Sequence, residues 1–71
     1  MKIVLEREWG NVTTRITYSK PAGEKLTEFV PEDIKGIAKS LGMTTFNLEL
    51  AILRAIADSG HMAGDVKITI E

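Results

Sequence analysis

The dipeptide Gly10-Asn11 stands between two alternating segments that fill the first twenty residues, and it leaves the chain little choice but to double back there. Glycine at the first central position of a two-residue loop suits a type II′ turn, whose twist matches that of paired strands. A two-residue loop also sets the register by arithmetic. Trp9 faces Val12, Arg7 faces Thr14, Leu5 faces Ile16 and Ile3 faces Tyr18, all on one side of the ribbon. On the other side Glu8 meets Thr13, Glu6 meets Arg15, Val4 meets Thr17 and Lys2 meets Ser19. The first side is mostly apolar and the second mostly polar. The Glu6–Arg15 pair adds a cross-strand charge match that supports the register.

Downstream, Lys20-Pro21-Ala22-Gly23-Glu24 reads as a turn by its proline and glycine. Residues 25–30 are expected to form a third strand, with Leu26 and Val30 on one face and Phe29 on the other; a single helical turn is the competing reading. Pro31 suits the first position of a helix, and Glu32 and Asp33 suit the positive end of its dipole. Ile34, Ile37, Ala38 and Leu41 then form one apolar stripe, and Gly42 fits the left-handed position that ends a helix. Thr44 or Thr45 is expected to cap a second helix that runs to about Asp58. Ser59-Gly60 and Gly64-Asp65 bracket an expected loop. Val66, Ile68 and Ile70 alternate with Lys67, Thr69 and Glu71 in a last half-buried strand. The predicted order is β-β-β-α-α-β in a single α+β domain spanning residues 1–71. Its sheet would be an antiparallel meander with the last strand added beside the first, and both helices would cover one face.

At 71 residues, such a domain buries only about 60% of the surface its unfolded chain exposes. A core of that size contributes on the order of 3–5 kcal/mol unless something enlarges it. The chain has no cysteine and one histidine, so disulfides, thiolate zinc sites and multi-histidine metal sites are excluded, and no cofactor is expected. Self-association remains the common way to enlarge the core. With 27% charged residues and a net charge of −1, the chain lacks the basic excess that phosphate neutralisation demands of a nucleic-acid binder. No apolar run approaches the length of a membrane span, and the N-terminus turns acidic too early for a signal peptide. A cytoplasmic location is expected, without membrane association.

Residues 46–57 are unusually apolar. Around the helical wheel, Asn47, Arg54 and Asp58 form one narrow polar stripe, and nearly everything else is apolar or small. Glu49 is the exception, projecting among Thr45, Ile52 and Ile56. A helix this apolar is either central or covered by a second chain. Arg7 is the matching oddity, a cation between Leu5 and Trp9 on the hairpin's apolar face, where charge is rarely buried unpaired. One expectation is an Arg7–Glu49 pair, formed within one chain or across a dimer. The alternative is that each reaches water at the rim of the domain.

No constellation for catalysis stands out. His61 lies in the expected loop without an obvious partner, the paired carboxylates are explained by a strand face and a helix start, and the glycines sit at turns rather than in a phosphate loop. The chain is expected not to be an enzyme. Ala38, Gly42 and Leu48 match the spacing of the helix-turn-helix family, which the two-helix unit 33–58 resembles. That resemblance places base-reading positions near Thr44, Thr45, Phe46, Glu49 and Leu50, a set poor in the side chains that read base edges. The strand, Pro-Glu helix start, Leu-Gly turn and second helix within residues 25–58 are also similar to the ribbon-helix-helix family, without its alternating basic readers. Each resemblance covers part of the chain, and neither assigns a family.

These features point to a small non-enzymatic binding module that works through protein–protein contact, with itself as a homodimer or with another protein. By analogy of size, it suits an inhibitor or regulator of the kind that viruses and mobile elements encode. The alternative is a small DNA-binding transcriptional regulator using unit 33–58. Candidate contact residues are Arg7, Trp9 and Tyr18 on the hairpin, with Glu49, Ile52 and Ile56 on the second helix; tryptophan, tyrosine and arginine are the side chains that concentrate binding energy.

Overall fold

The computed structural model describes residues 1–21, 23 and 25–71. Strands β1 (Lys2–Trp9) and β2 (Val12–Ser19) form the expected hairpin in the expected register, from Trp9 opposite Val12 to Lys2 opposite Ser19. Gly10 has a φ of 59°, and Asn11 is not among the residues with positive φ, which is the pattern of a type II′ turn. The ladder continues one step past the strand ends, where the Met1 and Lys20 backbones exchange hydrogen bonds at 3.0 Å each way.

Residues 20–24, expected as a turn, lie partly outside the described residues. Leu26–Phe29 is a 3-10 turn rather than a third strand. Leu26, Phe29 and Val30 have the i, i+3, i+4 spacing of a helix, and the Glu28 amide bonds back to the Lys25 carbonyl at 3.1 Å. This turn delivers Phe29 to the core, where it is buried. Helix α1 (Ile34–Leu41) begins at Ile34 rather than Pro31, because Asp33 holds a non-helical conformation and its side chain makes no capping bond. Gly42, at φ 68°, ends α1 in the left-handed conformation. Helix α2 (Thr45–Asp58) starts as expected, with the Thr44 hydroxyl accepting a bond from the Asn47 amide at 3.2 Å.

Residues 60–63, expected within a loop, are instead strand β3 (Gly60–Ala63), which pairs antiparallel with β4 (Val66–Ile70). The turn between them repeats the chemistry of the first hairpin. Gly64 has a φ of 61°, Asp65 is not left-handed, and Ala63 pairs with Val66 across a two-residue loop. The sheet order is β2-β1-β4-β3, antiparallel throughout. The last strand does lie beside the first, and the two helices pack on one face.

That face carries the core. Ile3 and Leu5 of β1 pair with Ile70 and Ile68 of β4, and Ile3, Leu5, Val66 and Ile68 are buried with Ala38 and Leu41 of α1 and Leu48, Ala51, Ile52 and Ala55 of α2. The opposite face is polar and uncovered by helices. There Glu6 stands between Arg15 and Lys67 on its two neighbouring strands, and Lys2 pairs with Glu71 at 3.3 Å. Among the described residues Val4 alone is buried on that face, in a row between Thr17 and Thr69.

Chemical unfolding tests this core. Leu5→Ala and Ile52→Ala should each destabilise the fold by about 2–5 kcal/mol, whereas Phe46→Ala, on the outside of α2, should change stability by less than about 0.5 kcal/mol. Similar losses at all three positions would contradict the packing described.

Candidate interaction surface

Arg7 is on the helix-covered face, where the hairpin register puts it, and it joins the end of α1, the β3–β4 turn and the end of β1. Its Nη1 donates to the Leu41 carbonyl at the end of α1, at 2.6 Å. Its Nε donates to Asp65 Oδ2 in the β3–β4 turn, at 3.0 Å. Its guanidinium carbon lies 4.6 Å from the centroid of the Trp9 ring, within range of a cation–π contact. The Leu41 carbonyl is one of those a helix leaves unbonded at its C-terminus, and a cation there also meets the negative end of the dipole. Gly42 makes room for this arrangement, since a methyl group built on it would fall on Arg7 Nη1.

The expected Arg7–Glu49 pair is not made within the chain. Arg7 is satisfied by Asp65 and Leu41, and Glu49, half-buried on α2, belongs to none of the ion pairs among the described residues. The turn carrying Asp65 reaches Arg7 only because β4 lies against β1, a proximity that sequence spacing does not reveal.

The remaining expected contact residues divide. Trp9 is 73% exposed at the hairpin's end, beyond the last β1–β4 pair. Tyr18 is half-buried, and its hydroxyl donates to the Phe29 carbonyl at 3.0 Å; burial pushes its phenol pKa well above the ordinary value. Ile52 is fully buried within the protomer, and Ile56 is half-buried against the same core. Tyr18, Ile52 and Ile56 therefore hold the fold together, and sheet and α1 cover the side of α2 that bears the two isoleucines.

The apolar excess of α2 emerges elsewhere. Leu48, Ala51, Ile52 and Ala55 point into the core, so the opposite pole of the helix carries Phe46, Leu50 and Ala57. Phe46 is 69% exposed and Leu50 is 51% exposed, one turn apart on a fully formed helix. Leu53 lies half-buried beside them. Beyond Leu50, an open cleft of about 400 Å³ separates α2 from β3, lined by Met43, Asn47, Leu50, Arg54, His61 and Ala63 among others. His61 is thus on an edge strand facing this cleft, half-buried, and not in a solvated loop. Trp9 and the first turn of α2 lie at the same end of the molecule, because Arg7 touches both the Trp9 ring and the Leu41-Gly42 turn that leads into α2.

Phe46 and Leu50 are absent from the protein-contact residues expected from the sequence, where they figure only as base-reading positions of the helix-turn-helix resemblance. Their i, i+4 spacing was visible, but on a helix apolar over most of its circumference nothing marks which side faces the sheet. Among the described residues, no three histidine or carboxylate side chains gather into a metal-binding group, and no helix is long and apolar enough to cross a membrane. Comparison with protein-family models, curated proteins and solved structures gives no match.

Two measurements test this geometry. Arg7→Ala should destabilise by about 2 kcal/mol, the scale of a charged hydrogen bond to a buried carbonyl together with lost packing. Asp65→Asn, at an exposed partner, should cost less than about 1 kcal/mol. Gly42→Ala should cost more in the parent than in an Arg7→Ala background, since part of its penalty is displacement of the guanidinium; equal costs would dissolve the coupling. Tyr18 sets a pH limit. Its folded pKa lies above the unfolded value near 10, so its contribution is complete below about pH 10 and is lost as pH rises through the folded value. Relative to Tyr18→Phe, the parent should therefore lose stability on titration above that pH.

Proposed function

We propose that the protein is a non-enzymatic binding module that acts through protein–protein contact, using the outer pole of α2 and the neighbouring hairpin end. The observation that carries this reading is the pairing of Phe46 and Leu50, both more than half exposed on a helix whose other side is fully packed. Two large apolar side chains one turn apart are the anchors of a helix seated against a partner's apolar groove or helix. Burying a phenylalanine or leucine contributes roughly 1.5–3 kcal/mol each, so leaving both in water has a cost that binding would recover. Trp9 adds a third anchor at the same end, its indole held over Arg7, which restricts its motion before any partner arrives. Asn47 and the Arg54–Asp58 pair border the apolar pole with polar groups, in the manner of an interface rim. An inhibitor or regulator that occludes a site on its target works by contacts of this kind.

The same helix supplies little to a DNA-reading function. Of the positions the helix-turn-helix resemblance assigns to base reading, Phe46 and Leu50 carry no hydrogen-bonding side-chain groups, and Glu49 is half-buried.

Placing a photo-crosslinking side chain at Leu50 in cells that produce the protein should yield an adduct of one discrete mass, and the same probe at exposed Lys35, on α1, should not. Phe46→Glu should abolish that adduct while leaving unfolding unchanged. The reading fails if the Leu50 adduct survives Phe46→Glu. It also fails if the purified protein shifts random duplex DNA at low salt and loses that binding steeply as salt rises, the signature of phosphate contact.

A further inference from the structure

Strand β2 forms one free edge of the sheet. Because Met1 and Lys20 exchange both hydrogen bonds, the alternation along the hairpin directs the backbone groups of residues 12, 14, 16 and 18 toward β1. Those of Thr13, Arg15, Thr17 and Ser19 point out of the sheet, and no strand pairs with them among the described residues. Proteins usually guard such an edge with charged side chains, lysine above all, or with proline, a bulge or a very short strand; the one charge on this edge, Arg15, lies opposite Glu6 of β1. Residues 12–19 contain no lysine and no proline, and every residue from Val12 to Ser19 has its own partner on β1, so the strand is long and unbulged. The opposite edge differs, since β3 is only four residues long and ends at a positive-φ glycine on either side of His61-Met62-Ala63.

We propose that β2 joins β2 of a second copy in antiparallel register about a two-fold axis at Ile16, giving one continuous sheet through two protomers. The sequence selects this register from the alternatives. Hydrogen bonding requires outward-facing residues to meet each other, so only shifts by two residues keep both the bonds and the apolar side together. With Ile16 opposite its own copy, Arg15 meets Thr17, Thr13 meets Ser19, and the strands overlap along their whole length. A shift one way sets Arg15 directly against the partner's Arg15, which is repulsive. A shift the other way sets Thr13 against Pro21 of the partner subunit, which has no N–H to give. In the selected register Ile16 and Ile16 form a non-hydrogen-bonded pair, the arrangement with the closest side chains. They meet on the helix-covered side, where Ile16 and Tyr18 are each half-buried at the rim of the core. Pairing thus extends an apolar row that stops at the sheet edge in one chain. This contact uses a different surface from the outer pole of α2 and does not depend on the partner proposed for it.

Sedimentation across a concentration series, combined with substitutions on the strand, tests the pairing. The parent should pass from protomer mass to twice that mass as concentration rises. Ile16→Cys, in a chain that has no other cysteine, should form a disulfide dimer under mild oxidation, because the paired Cα atoms fall within disulfide reach. Thr14→Cys, whose neighbour in this register is Tyr18 of the partner subunit, should crosslink far more slowly. Thr17→Pro removes an outward N–H without touching the β1–β2 ladder, and should remain monomeric at concentrations where the parent is dimeric. A parent that stays monomeric throughout overturns the proposal. So does a dimer that persists in Thr17→Pro while the Ile16→Cys variant stays unlinked, or one that dissociates only when Phe46→Glu is introduced on α2.

Discussion

Five residues of β1, Ile3 to Arg7, pair with β4, and this short seam joins two hairpins that are otherwise distant in the chain. On its helix-covered side the seam stacks Ile3 and Leu5 against Ile70 and Ile68, and the two helices settle on the surface those four create. Without the seam, each hairpin would be a two-stranded ribbon with one greasy face, which is at best marginally stable in water. The domain is therefore held by contacts between its first seven residues and its last six, and α2 packs on whatever surface that closure makes.

Arg7 ends the seam, and its position explains how a small fold places a cation on its apolar face. Three elements converge on it: the end of α1 offers a carbonyl, the β3–β4 turn offers a carboxylate, and the end of β1 offers the Trp9 ring. Each partner satisfies a different part of the guanidinium, whose planar fork suits several acceptors at once. The cation consequently organises the end of the molecule, drawing together elements that share no sequence neighbourhood. The exposed ring of Trp9 rests on this organised base.

Two kinds of unused bonding capacity remain at the surface, and they differ in physical character. The outer pole of α2 offers apolar area, which is non-directional and accepts many shapes of partner. The β2 edge offers a row of backbone donors and acceptors, which is directional and accepts only an extended strand in a defined register. The occupants proposed for the two surfaces differ accordingly, another protein's apolar groove for the first and a copy of the same strand for the second.

Much of this architecture is legible in the residues themselves. Gly10-Asn11 determines the first hairpin down to each cross-strand pair, and Gly42 and Thr44 determine where one helix stops and the next begins, because turn and cap chemistry is local. Residues 25–30 and 60–63 were too short for their periodicity to decide between strand and helical turn or between strand and loop. The Gly64-Asp65 turn held the missing signal for β3, since it repeats the chemistry of Gly10-Asn11. What only the tertiary structure decided is which groups meet across long separations: that Arg7 takes Asp65 and the Leu41 carbonyl rather than Glu49, and that Ile52 turns inward while Phe46 and Leu50 turn out. Local patterns specify the shape of each element, but the side of a nearly uniform helix that is buried, and the partner of a lone cation, are chosen by the packing of distant strands.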